Sequence, residues 1–274
     1  ASTPIEVVDM GLRGFTRKIG ILKDYNANFQ CGQCHNAANR YLTYKWLKDD
    51  KPVRPEDLQK AGVSPYATEF FKDPLESWAW FKAKGWHQGV NGTTGVHYVN
   101  GSDHPHVEIM LQSKHGQAGV TCTDCHFARK ADGKAEHQPS LVKLKVENTC
   151  MRSACHGPGS KSNWTDPGQA LYTIEAIQQE YRIRVQKMEM AAKDAQRIFM
   201  KLKAGEASLP QEGKEKLETA YEKYLSARDW YLTDLSSGFH DPEGFNRTVS
   251  VVTWELRKTN AAAQGALKKT PVKQ

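Results

Sequence analysis

No stretch of roughly 18 consecutive apolar residues occurs in the chain, so no hydrophobic transmembrane helix is expected. Cysteine is sparse: six in 274 residues are too few for a disulfide scaffold. The 12 prolines and 21 glycines follow no fixed period, which removes collagen-like architectures. No block of lysine and arginine with interleaved aromatics is present, so nucleic acid is not an expected partner. Neither sign of charge dominates. The 38 Lys and Arg against 31 Asp and Glu leave a formal +7 in a chain that is 39% apolar and 25% charged, which places it among folded globular proteins. The chain opens Ala-Ser-Thr-Pro with neither an initiator methionine nor a recognisable signal peptide, a start that fits processing after export and fits an arbitrary boundary equally.

The six cysteines fall into three close pairs, and a histidine follows each: Cys31-Gly-Gln-Cys34-His35, Cys122-Thr-Asp-Cys125-His126 and Cys150-Met-Arg-Ser-Ala-Cys155-His156. The first two match the c-type haem attachment pattern, in which two thiols bond to the porphyrin vinyl groups and the adjacent histidine supplies the proximal nitrogen of the iron. The third has four spacer residues, a rarer attachment spacing. A structural zinc site would draw ligands from two pairs and would not require a histidine after every second cysteine. A redox dithiol needs one pair beside a strand and a helix, and three copies with histidine fit it poorly. Three haem c groups are therefore the expected cofactors. Covalent haem attachment takes place outside the bacterial cytoplasm, so the expected location is the periplasm or the cell exterior. Six ionised propionates would contribute about −6, reducing the formal charge to about +1, so the basicity is compensation for cofactor acids.

The expected fold is mainly α, a multihaem cytochrome c with a long C-terminal helical hairpin and little sheet. Its divisions are a haem-binding region over residues 1–165, the hairpin and a closing segment over 166–262, and a flexible tail over 263–274. Residues 36–72 suggest short helices broken at Pro52, Pro55 and Pro65. Trp78, Trp80, Trp86 and Trp230 are candidates to line haem edges, with simple packing as the plainer explanation. Residues 170–204 carry Leu171, Ile174, Ile177, Tyr181, Val185 and Met188 at helical spacing, and 212–235 repeat the pattern after Gly205 and Pro210. The two read as an antiparallel pair, with a short final element over Ser250 to Arg257.

Further features stand in a fixed order around the attachment sites. His104-Pro105 and Ser113-Lys114-His115-Gly116 follow the first site, and Val120 leads into the second. His137 precedes the third, and Gly238-Phe239-His240 follows the long helical stretch. This order resembles the C-terminal part of the multihaem nitrite reductase and hydroxylamine oxidoreductase superfamily, over nearly all of the chain. Ten histidines less the three proximal ones leave seven candidates for distal ligands. The resemblance implies that His115, His137 and His240 are those ligands, completing bis-histidine irons with His35, His126 and His156.

The departures from the pattern matter equally. The ammonia-forming nitrite reductases carry a Cys-x-x-Cys-Lys catalytic haem and a catalytic arginine nearer the N-terminus, and neither motif is present. Ala37 and Ala38 stand where those enzymes have a Glu-Tyr pair, so their calcium ligand and active-site tyrosine are not carried over and calcium is not expected. Asp103-His104 replaces a Gln-His pair and resembles the hydroxylamine oxidoreductases, in which such a pair moves protons beside the catalytic haem. Asp103 and His104 are thus candidate catalytic residues, with a turn or surface pair as the plainer alternative.

Two functions remain open on the sequence. One is electron transfer through three covalently bound bis-histidine haems. The other is a subunit or fragment of a nitrite reductase or hydroxylamine oxidoreductase-like enzyme whose catalytic haem lies on another chain or a missing region, with a small nitrogen-oxide substrate. Expected partners are a redox protein or another haem-bearing chain, and the resemblance implies a homodimer or hetero-oligomer through the long helices.

Overall fold

The computed structural model describes residues 5–12, 15–22, 26–32, 35, 46–60, 71–99, 104–127, 134 and 139–269. Cys34, Asp103 and His137 lie outside the described residues.

Three long helices organise the C-terminal part, which the sequence reads as two plus a short segment. Helix α7 (Pro167–Lys203), helix α8 (Gln211–Leu232) and helix α9 (Pro242–Ala266) follow one another. Asp166-Pro167 and Asp241-Pro242 start α7 and α9 in the same way. Proline occupies the first helical position, where no N–H is needed, and the aspartate accepts an amide N–H from Gly168 (2.8 Å) or Gly244 (3.1 Å). Bonds between α7 and the α8 region run from Gln178 to Ser236, Tyr181 to Tyr231, Glu189 to Tyr224 and Gln196 to Tyr221, so one number falls as the other rises and the pair is antiparallel.

Helix α9 packs extensively against both partners, whereas α7 and α8 touch each other less. Phe245, Val249, Val252, Leu256 and Ala263 line its buried face at helical spacing, each of the larger ones worth roughly 1.5–3 kcal/mol of burial. Asn260 Nδ2 donates to Ala191 O at 2.8 Å, and Arg184 Nη1 to Ser250 Oγ at 2.9 Å. The element expected over 250–257 is thus one part of a 25-residue helix. The segment expected to be a tail is helical through Ala266, and Lys268–Lys269 (β7) pairs with Ala207–Ser208 (β6).

The N-terminal part is built from short pieces. Strands β1 (Ile5–Leu12) and β2 (Phe15–Leu22) form an antiparallel hairpin within the region the sequence assigns to haem binding. Helix α1 (Asn28–Gly32) carries Cys31, the first cysteine of the first motif. Strands β3 (Leu47–Lys48), β4 (Lys51–Pro52) and β5 (Trp86–His87) make a small sheet in the order β4-β3-β5, beside helices α2 (Pro55–Lys60) and α3 (Pro74–Ala83). Asp73-Pro74 starts α3 as a third Asp-Pro cap. Trp46 stacks on Phe81 at 4.0 Å between centroids, and Trp80 and Trp86 pack edge-on beside them, so these tryptophans are part of the same apolar core as the three long helices. Glu222 of α8, 3% exposed, is held there by Lys82 Nζ (2.6 and 2.8 Å) and Trp78 Nε1 (3.2 Å), which fixes α3 on the bundle. Among the described residues no helix is long and apolar enough to cross a membrane.

Candidate haem-binding site

Helices α4 (His106–Gln112) and α5 (Lys114–Gln117) lie between the first and second motifs, and α6 (Cys122–His126) is the second motif itself. A 3₁₀ helix (Pro139–Lys145) and a chain of turns follow and carry the third. In the first site His35 N donates to Cys31 O at 2.9 Å, the bond of one helical turn. The third site keeps the same bond despite its longer spacer: His156 N donates to Cys150 O at 3.1 Å. The extra residues are absorbed by a turn in which Cys155 N and Gly157 N both donate to Arg152 O. A Cβ at Gly157 would lie 1.8 Å from Met151 O, so glycine is required where the turn closes. Gly157→Ala is expected to cost the holoprotein about 1–3 kcal/mol, read by chemical denaturation against the unaltered chain.

Among the described residues, side-chain hydrogen bonds link the motifs. Asn28, 2% exposed, accepts a hydrogen bond from Cys122 N at 2.8 Å and so ties α1 to the start of α6. Asp124, a spacer residue of the second site, accepts from Thr121 N (2.8 Å) and from Arg152 Nη2 (3.3 Å), a spacer residue of the third. Burial alone would raise the Asp124 carboxyl, but Thr121 and Arg152 outweigh it and hold it below the usual range.

No two of the described cysteines are joined in a disulfide. Burial, with Cys31 alongside, pushes the Cys122 thiol up to about 12, and burial with Cys150 pushes Cys125 up to about 11. Burial is the main cause in both, whereas an activated redox dithiol sits in an electropositive, partly exposed setting. Among the described residues no three of His, Cys, Asp and Glu gather as metal ligands.

The structure brings most of the candidate histidines together in pairs. His115 faces His156 with ring centroids 6.0 Å apart and planes at 87°, and His126 faces His240 at 6.1 Å and 60°. Nδ1 of His156 pairs with Ser162 Oγ at 2.9 Å, and Nδ1 of His240 with Asp234 Oδ1 at 2.8 Å, so the Nε2 nitrogens are the ones left to bind. Burial lowers His115, reinforced by His156 and His240, which favours the neutral imidazole that metal binding requires. Trp164 stacks on His156 at 4.6 Å, and Phe239 lies 6.5 Å from His115, forming an apolar wall with Val146, Ala170 and Ile174.

His35 has different neighbours. His106 Nδ1 lies 3.3 Å from His35 Nδ1, with centroids at 5.1 Å, and the exposed His104 ring is 5.6 Å away. Burial pushes His106 down to about 4 against the opposing pull of Asp234. His106 belongs to the histidine-dense segment of the sequence but carries no motif. Asn28, Asp234 and Ser236 give no local signal either, because their partners are distant in sequence or held by turn geometry.

The model of the cytochrome c552 family matches residues 23–274. The chain belongs to the cytochrome c552 family. It is accordingly a c-type cytochrome, and the family implies haem c as its cofactor. The cytochrome c-552 of Bacteroides thetaiotaomicron is 28% identical over 138 residues, covering 46% of this chain and 22% of that protein. The one from Parabacteroides distasonis is 26% identical with the same coverage. Among solved structures, the cytochrome c nitrite reductase of Desulfovibrio desulfuricans ATCC 27774 superposes with a TM-score of 0.59 at 16% identity, over 89% of this chain and 50% of that one. The match to this c552-family chain thus spans about half of the reductase and about a fifth of the curated relatives, and at that identity the superposition speaks for the fold.

Proposed function

We propose that the chain is a periplasmic or extracellular electron-transfer module holding three haem c groups through Cys31/Cys34, Cys122/Cys125 and Cys150/Cys155, with His35, His126 and His156 as proximal ligands. The observation that carries it is the spacing of the two histidine pairs. Metal–nitrogen bonds of about 2 Å, with roughly 1.1 Å from each ring nitrogen to its centroid, put two imidazoles on opposite sides of one iron about 6 Å apart. The pairs at 6.0 and 6.1 Å fit that distance, and with the Nδ1 contacts of His156 and His240 that leave Nε2 to bind, they support His115 as the ligand opposite His156 and His240 as the ligand opposite His126. His137 is the candidate opposite His35.

Haem c supplies the one-electron couple; the chain's residues orient it and keep water out. Ser162 and Asp234 set which ring nitrogen is free, Trp164 and Phe239 screen the third site, and the Asn28 and Arg152 links keep the three sites adjacent. The partner is a redox protein or another haem-bearing chain, and the long helices offer a surface for a homodimer or hetero-oligomer.

A second reading is a part of a nitrite- or hydroxylamine-transforming oxidoreductase, with Asp103 and His104 moving protons. The half-length superposition on a nitrite reductase and the exposed His104 beside His35 favour it. Spectra of the oxidised holoprotein separate the two. Electron transfer predicts low-spin haem throughout and no change on adding nitrite or hydroxylamine. A high-spin component that shifts with either ligand would put an open iron beside His104 and overturn that prediction in favour of substrate chemistry.

A further inference from the structure

The turn between α8 and α9 buries a carboxylate that no attachment motif accounts for. Asp234 is 2% exposed, and each of its oxygens is engaged. Oδ1 accepts from His240 Nδ1 at 2.8 Å and from Ser236 N at 3.1 Å, while Oδ2 accepts from Ser236 Oγ at 2.6 Å. The Ser236 hydroxyl in turn accepts from His240 N at 3.0 Å, so the turn is closed around the histidine from both its backbone and its ring. Gly238 in this turn has φ 81°, and a Cβ there would lie 2.8 Å from Tyr181 Cδ2, which leaves the turn little room to deform. His106 Nε2 stands 4.0 Å from the same Oδ1, beyond hydrogen-bond distance, so His240 is the imidazole that the carboxylate holds.

We propose that Asp234 is a positioning residue for His240: it fixes the proton on Nδ1, aims Nε2 at the space facing His126, and lowers the midpoint potential of the haem bound there. The physical cause is general. A carboxylate accepting the outer N–H of a ligating imidazole makes that imidazole a stronger donor and favours the more positive, oxidised metal. A neutral acceptor in the same place would preserve the orientation and forfeit most of the charge effect. The proposal rests on His240 being an iron ligand.

The test is redox titration of the holoprotein, with the low-spin signals followed by electron paramagnetic resonance. Asp234→Asn keeps an oxygen acceptor and removes the charge; it is expected to raise the potential of one haem and leave the other two in place. Ser236→Ala, which removes one support of the carboxylate, is expected to shift the same haem in the same direction by less. Unchanged potentials in Asp234→Asn with full haem content overturn the proposal, and if that variant does not fold, an unchanged Ser236→Ala does so. His240→Ala separates the two levels: if every haem stays low-spin in that variant, it is the ligand assignment that fails.

Discussion

Replacing both Cys150 and Cys155 by serine is expected to lower the covalent haem count from three per chain to two. Intact mass and a pyridine haemochrome assay read the result, and the haem absorbance per chain should fall by about a third. This pair is the most exacting of the three because its spacer is two residues longer than that of the others. The hydrogen bond from His156 N to Cys150 O repeats the one from His35 N to Cys31 O, so the longer spacer presents its first cysteine and its histidine in the same relation. Serine cannot form a thioether, and haem held only by His115 and His156 would be extracted under denaturing conditions. An unaltered chain carrying two haems, or a serine variant that keeps three, would remove the third site from the assignment. The matching change at Cys122 and Cys125 serves as the reference, since that spacing is the ordinary one.

The three Cys/His motifs are legible in the sequence because the haem-attachment pattern is local, contained within five to seven consecutive residues such as Cys31 to His35 and Cys150 to His156. Helix α7 was legible for a similar reason: its apolar spacing is uninterrupted between Asp166-Pro167 and Gly205. Helix α9 was read too short. Its first turns contain Asn246 and Thr248, weak helix formers whose place is settled by burying Phe245, Val249 and Val252 against α7 and α8. The Asp-Pro pairs at 73, 166 and 241 carry the missing signal, since each proline begins a helix that a reading of proline as a breaker places elsewhere.

Non-local partners account for the rest of the site. His106 gains its surroundings from His35 at one nitrogen and the Asp234 carboxylate near the other, and Asn28 finds its partner at the start of α6. Residues that orient a ligand need only be near it in space, so no spacing rule announces them. The bundle therefore does more than complete the fold. By carrying Asp234, Ser236 and His240 on the α8–α9 turn, it brings His240 to 6.1 Å from His126 of the second motif, between ring centroids.

His115→Ala and His240→Ala should each open one iron, and this is where the pairing of ligands has its largest spectroscopic consequence. Each variant is expected to convert one low-spin haem of three to the high-spin form and to gain one carbon monoxide site per reduced chain; the double variant should gain two. The geometry also specifies which histidine should not behave this way. His106 lies as near to His35 and His240 as the paired ligands lie to one another, with centroids at 5.1 and 5.7 Å. Its Nδ1, however, faces the Nδ1 of His35, the nitrogen on the side away from a proximal bond through Nε2. His106→Ala is therefore expected to leave every haem low-spin. If His106→Ala opened an iron while His240→Ala did not, the ligand opposite His126 would have to come from α4, and the α8–α9 turn would lose its place in the site.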